Sequence, residues 1–214
     1  MLKYLLIVFY FLIIFCIAVL YKKINPKNKE LLRKIIHIGM GPLILIAKYL
    51  EISQSFAAYF TFLISILIII NYVYKLFPII EDIDRKSYGT LFYCISLLFL
   101  IILFWNNDPY SLMAGFFIMT FGDGFAGLIG KNFSSLNWLI LNQKKSILGT
   151  STMFLTTLCT LILVSLFGNF AINSNIIFIS IISTFLEQIS LFGIDNFTVP
   201  IISALLFNIF ITNL

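Results

Sequence analysis

Apolar runs close to twenty residues long recur from one end of this chain to the other, and each is near the length a helix needs to cross the hydrocarbon of a bilayer. Eight can be drawn: Leu2–Tyr21, Ile35–Leu50, Phe56–Phe77, Leu91–Trp105, Ser111–Gly130, Ile147–Phe167, Ile176–Phe192 and Phe197–Leu214. Composition leaves little else to build with. Of 214 residues, 61% are hydrophobic and 11% charged, against about 25% charged in soluble domains. In lipid the backbone must satisfy its own polar groups, so helices are expected; the alternating ten-residue strands of a membrane barrel are absent. The expected fold is all-α, a polytopic integral membrane bundle of seven or eight transmembrane helices in a single domain over 1–214. Within it, 1–34 supplies the first span and a basic loop, 35–200 the core, and 197–214 the last span.

The charges set an orientation. Lys22, Lys23, Lys27, Lys29, Arg33, Lys34, Lys75, Arg85, Lys86, Lys131, Lys144 and Lys145 fall in alternate connections, which is twelve of the fourteen basic residues; the other side keeps only Lys3 and Lys48. The positive-inside rule then puts the basic loops in the cytoplasm and the N-terminus outside. Either a bacterial plasma membrane or a thylakoid membrane suits this multi-pass arrangement. A net charge of +5 spread over short loops, rather than over a soluble face, argues against nucleic acid as a partner. Leu2–Leu20 with Lys3 in front has the outline of a signal sequence, but the lysines that follow it resist translocation and favour a retained span. Cys16, Cys94 and Cys159 sit inside apolar runs without metal-type spacing and read as small hydrophobes.

Function is sought where polar residues interrupt this pattern. Asp123 lies within the fifth apolar run, where a carboxylate costs on the order of 2.5–3.5 kcal/mol even on a lenient insertion scale and so usually marks a polar cavity. Five of the eleven glycines fall between Gly115 and Gly130, and Gly122, Ala126 and Gly130 form a small-residue strip at helical spacing. A plain packing stripe is the bland alternative. The string Gly122-Asp123-Gly124-Phe125-Ala126-Gly127 spells a dinucleotide fingerprint, but without the βαβ context that gives it meaning. Lys144-Lys145-Ser146-Ile147-Leu148-Gly149-Thr150 can hold phosphate or merely anchor the loop. Arg33 and His37, four apart, are expected on one helix face, with Lys34 beside them; Arg33 has snorkelling as its alternative and His37 a structural hydrogen bond. Asp84-Arg85-Lys86 precedes the fourth run, Glu187 is a second carboxylate at membrane depth, and Asp195-Asn196 can act in a site or as a helix cap. All these clusters fall on the basic side. An acid there suits Mg²⁺, which takes oxygen ligands and bridges to substrate phosphates.

In order along the chain stand Arg33-Lys34-x-x-His37, Ser87-Tyr88-Gly89-Thr90, Gly122-Asp123-x-x-Ala126-x-x-x-Gly130, Lys145-Ser146-x-x-Gly149, and Glu187 with Asp195-Asn196-x-Thr198-x-Pro200. This series resembles the polyprenol kinase family, over roughly Arg33 to Pro200, and is closest in appearance to its phytol kinase members. Two departures are Lys131-Asn132-Phe133-Ser134, where the family often has a further glycine, and Ile147, where an aromatic is usual. The resemblance implies a CTP-dependent kinase that phosphorylates a membrane isoprenoid alcohol at the cytoplasmic face. It implies Mg²⁺ on Asp123, catalytic roles for Asp123, Lys145, His37 and Glu187, and nucleotide or phosphate contacts from Arg33, Lys34, Arg85, Gly122, Gly130, Lys144, Ser146, Gly149, Asp195 and Asn196. A CTP-dependent diacylglycerol kinase or a cytidylyltransferase is the alternative enzyme, although the latter's Asp-Arg-x-Asp signature is absent. A small transporter coupled through Asp123 and Glu187 is the non-enzymatic alternative. Oligomeric state is left open.

Overall fold

The computed structural model describes residues 1–26, 28–76, 88–141 and 143–213. Every expected apolar segment carries helix. In chain order these are α1 (Leu2–Ile24), α2 (Lys29–Gly39), α3 (Gly41–Tyr49), α4 (Gln54–Tyr74), α5 (Gly89–Phe104), α6 (Pro109–Phe117), α7 (Gly124–Asn132), α8 (Ile147–Gly168), α9 (Asn175–Gln188) and α10 (Asp195–Phe207). A π turn, Ile118–Asp123, joins α6 to α7 without a break, and a second, Asn208–Thr212, extends α10.

Five helices are long and apolar enough to cross a bilayer: Leu2–Ile24, Gln54–Tyr74, Pro109–Asn132, Ile147–Gly168 and Asp195–Thr212. The expected count of seven or eight spans exceeds this for three local reasons. The segments at α5 and α9 yield helices of 16 and 14 residues, short of the roughly 20 that span the hydrocarbon upright. The expected span Ile35–Leu50 is broken at Met40, because Pro42 has no N–H to carry the ladder on. Pro42 instead occupies the first turn of α3, where a donor is not needed.

The chain is nearly all-α, as expected, with one short exception between α7 and α8 among the described residues. Asn137–Ile140 (β1) and Gln143–Ser146 (β2) pair antiparallel, with Trp138 opposite Lys145 and Leu139 opposite Lys144. The turn places Leu141 at φ 50°. This connection is too short to hide in the core, and pairing satisfies its backbone.

The α6–α7 helix runs through the middle, with Leu112, Ala114, Phe116, Ile118 and Met119 buried. Around it the interior joints use small residues. Ser183 on α9 and Ser203 on α10 share a hydrogen bond of 2.7 Å, and Ser180 and Ser183 each donate back to the carbonyl four residues earlier. Such joints are typical where lipid gives helices no hydrophobic reason to associate. The outer faces are apolar, with Phe62, Leu63 and Leu67 on α4 and Leu163 and Leu166 on α8 exposed. Lys3 and Lys48 mark one end of the bundle: Lys3 donates to the Glu51 carbonyl and Lys48 to the Trp105 carbonyl, both at 2.8 Å.

Candidate active site

The other end of the bundle holds the polar cavity. The π turn widens the α6–α7 helix just before Asp123, a distortion often found at functional sites. Side chains from α2 fasten it. Lys34 Nζ donates to both the carboxylate and the carbonyl of Asp123, each at 2.8 Å. His37 Nε2 lies 3.0 Å from the Met119 carbonyl and 3.4 Å from Asp123 Oδ2. A carbonyl can only accept, so Nε2 carries the proton. Behind it the Tyr93 hydroxyl reaches Thr120 Oγ1 at 2.9 Å and the His37 carbonyl at 3.3 Å.

Lys34 is 1% exposed, and it passes so close to Gly127 that a Cβ there would stand 2.7 Å from its Cε. The glycine is a tunnel for the lysine stem.

The hairpin supplies the second cation. Lys145 Nζ is bonded to the Glu187 carboxylate and, at 2.8 Å, to the Glu187 carbonyl at the end of α9. Gln188 Nε2 donates to the other Glu187 oxygen at 2.6 Å and to Thr150 Oγ1 at 2.9 Å. Asp195 opens α10, after a turn with Phe192 and Gly193 at positive φ. One carboxylate oxygen from each of Asp123, Glu187 and Asp195 lies within 4.8 Å of the others. Three acids so close repel one another unless cations intervene. Lys34 and Lys145 pair two of them, and the all-oxygen donor set suits a hard cation such as Mg²⁺. These residues adjoin a cavity of about 820 Å³, whose lining also includes Arg33, Lys131, Lys144, Ser146 and Gly149. Arg33 is paired with Glu30 at 2.6 Å. Burial alone would lower its pKa, but the carboxylates of Glu30, Asp123 and Asp195 together outweigh this and hold it above the ordinary value.

Comparison with known proteins bears on this arrangement. The chain is 34% identical over 193 residues to a phytol kinase of Synechocystis sp., covering 88% of this chain and 83% of that one. The chain belongs to the phytol kinase family. It is also 29% identical over 146 residues to phytol kinase 1, chloroplastic, of Arabidopsis thaliana, and 30% over 130 residues to probable phytol kinase 2, chloroplastic, of Glycine max. The chain spans about half the length of these plant relatives, 47% and 44%. No family model and no solved structure matches it.

For a phytol kinase family member, the residues singled out in the sequence divide by position. Asp123, Glu187, Asp195, Lys34, Lys145, Lys144 and Arg33 meet at the cavity. Ser146 lines it too, while its Oγ caps α8 by accepting from the Gly149 N–H at 3.1 Å. Gly130 and Gly149 line the cavity where α7 meets α8, with Gly149 Cα 3.1 Å from where a Gly130 Cβ would sit. Gly122 faces Met153 instead, outside the cavity lining. Asn196 is buried, and its amide donates to the Gly89 carbonyl at 3.2 Å, tying α10 to α5. Arg85 lies outside the described residues.

Two readings of α2 change. Arg33 faces Glu30, whereas Lys34 and His37, three apart, are the pair that flank Asp123. His37 is buried and absent from the cavity lining, so its geometry is that of a positioning residue for the π turn. Sequence reasoning missed Gln188 and Tyr93. The amide beside Glu187 was the available signal for Gln188; a tyrosine within an apolar run gives none.

Proposed function

We propose that this protein is a phytol kinase, a phosphotransferase that moves the γ-phosphate of CTP to the hydroxyl of an isoprenoid alcohol. Family membership supports the activity. The observation that carries the mechanism is the meeting of three acids and two lysines from five separate segments in one cavity. Phosphoryl transfer needs positioning and charge neutralisation more than covalent help from the protein.

In the reaction proposed here the alcohol oxygen bonds to the γ-phosphorus, the bond to the bridging oxygen breaks, and CDP leaves. Glu187 takes the alcohol proton, since His37 stands behind Asp123. Arg33, Lys131 and Lys144 face the cavity as phosphate partners, and Lys145 holds Glu187 in place. Mg²⁺ held by Asp123 and Asp195 would neutralise charge on the transferring phosphate. With α5, α9 and the broken α2–α3 pair also within the bilayer, the chain makes eight spans. The basic loops and the cavity then face the cytoplasm, in a plasma or thylakoid membrane.

Purified protein in detergent with CTP, Mg²⁺ and phytol is expected to yield phytyl phosphate. Transfer to diacylglycerol alone would move the assignment to the sibling lipid kinase. The metal is testable without turnover. At about 100 times its Kd, a ligand bound only to the folded state stabilises it by roughly 2.7 kcal/mol, so Mg²⁺ should raise the Tm of the wild type. Asp195→Asn should blunt that rise, and an equal rise in both proteins would remove Asp195 from the metal set.

A further inference from the structure

Two of the apolar spaces among the described helices differ in size. The first, among α1, α3, α4 and α5, is lined by residues such as Ile7, Ile44, Phe60 and Leu97 and holds about 80 Å³. That is less than the roughly 150 Å³ cavity that accommodates benzene, and it shares no lining residue with the polar cavity. The second is a groove of about 520 Å³ between the first turns of α8 and the last turns of α9, within the roughly 300–1,000 Å³ of ligand sites. Phe154, Leu155, Ile181 and Phe185 supply its apolar lining. Thr150 and Gln188, at its head, line the polar cavity as well. The groove and the cavity therefore adjoin at these two residues.

Gln188 adds a second, independent observation. Its Nε2 is committed to Glu187 and Thr150, which fixes the orientation of the amide. Its Oε1 is buried with no hydrogen-bond partner among the described residues. This fixed amide, bonded to both Thr150 and Glu187, makes the head of the groove polar, the end at which a hydroxyl rather than a hydrocarbon chain belongs.

We propose that the acceptor alcohol enters sideways from the bilayer into the α8–α9 groove, its chain on Leu155, Ile181 and Phe185 and its hydroxyl at the Thr150–Gln188 head, beside the Glu187 carboxylate that Gln188 holds. This rests on the phytol kinase reading and names where its lipid substrate lies. From Ile181 to Gln188 the helix rises roughly 10 Å, so only the part of the chain nearest the hydroxyl is held and the remainder stays in lipid. The groove thus reads bulk near the hydroxyl and tolerates length beyond it.

Leu155→Trp and Ile181→Trp fill the groove from positions exposed on the helix surfaces. Each should raise the KM for phytol by about tenfold, the scale on which apolar pockets discriminate, and leave the KM for CTP unchanged. A longer polyprenol should suffer the same rise. Leu163→Trp, farther along α8 and outside the groove, should match the wild type. Unchanged phytol KM in both groove variants, with an active wild type, overturns the groove alone. A wild type inactive on every isoprenoid alcohol overturns the kinase reading and the groove with it. Should the variants fail to fold, an isoprenoid alcohol bearing a diazirine near its hydroxyl decides on the wild type. Phytol-competed labelling of 150–155 or 181–188 supports the groove, and labelling of α1 or α4 overturns it.

Discussion

Asp123→Asn is expected to lower kcat roughly a thousandfold, the scale seen when one electrostatic contact to a transition state is removed. Activity alone does not prove the role, because the same substitution strands a cation. Lys34 is 1% exposed and its charge is met by the Asp123 carboxylate. Breaking one side of a buried pair costs about 3–5 kcal/mol, enough to unfold a marginal protein. The double variant Lys34→Met with Asp123→Asn separates the two effects. Methionine follows the lysine stem past Gly127 and leaves no charge behind, so thermal stability in detergent should return toward the wild type while phosphoryl transfer stays lost. If the double variant regained activity along with stability, Asp123 would be no more than the anchor of a lysine, and the metal assignment would fall.

That experiment turns on a detail the sequence half-discloses. A carboxylate amid Phe121, Gly122 and Gly124 in an apolar run is legible as a site because burying it is expensive. The same argument finds Glu187. Which base answers each acid is harder. Arg33 and His37 at four-residue spacing look like partners, yet α2 turns Lys34 inward and leaves Arg33 to Glu30. Helical spacing gives faces but not the rotation of the helix about its axis, and here packing against α7 sets it: His37 and Ile38 sit against Gly124, and Lys34 against Gly127. The hairpin was illegible for another reason. Its four-residue strands are too short for a periodic signal, yet pairing Trp138 with Lys145 and Leu139 with Lys144 puts the two lysines on opposite faces. Lys145, not Lys144, reaches Glu187 as a result. The break within Ile35–Leu50, by contrast, was written in Gly39-Met40-Gly41-Pro42, and hydropathy outweighed it.

Gly115→Leu should be the most damaging single change far from the cavity. At this point α6 and α10 touch backbone to backbone. A Cβ on residue 115 would overlap the Pro200 carbonyl oxygen and come within 2.8 Å of Ala204 Cβ. Neither is the free end of a flexible side chain, so the clash is relieved only by moving α10 bodily. Overpacking in a tight core costs about 1–3 kcal/mol where side chains can adjust, and here the cost should reach or exceed the upper figure. Gly39→Ala is the matched comparison. Its Cβ would meet Ile14 Cγ2 at 3.0 Å, a side-chain tip that can turn aside, and the loss should be small. The consequence for function follows from chain order. Pro200 is five residues into the helix that Asp195 begins, about 7.5 Å along its axis. A displaced α10 therefore carries Asp195 away from Asp123 and Glu187. Gly115→Ala, the milder form, should weaken Mg²⁺-induced stabilisation in the protein that still folds. Normal stabilisation by Mg²⁺ in that variant would show that the α6–α10 contact supports the bundle without setting the spacing of the three acids.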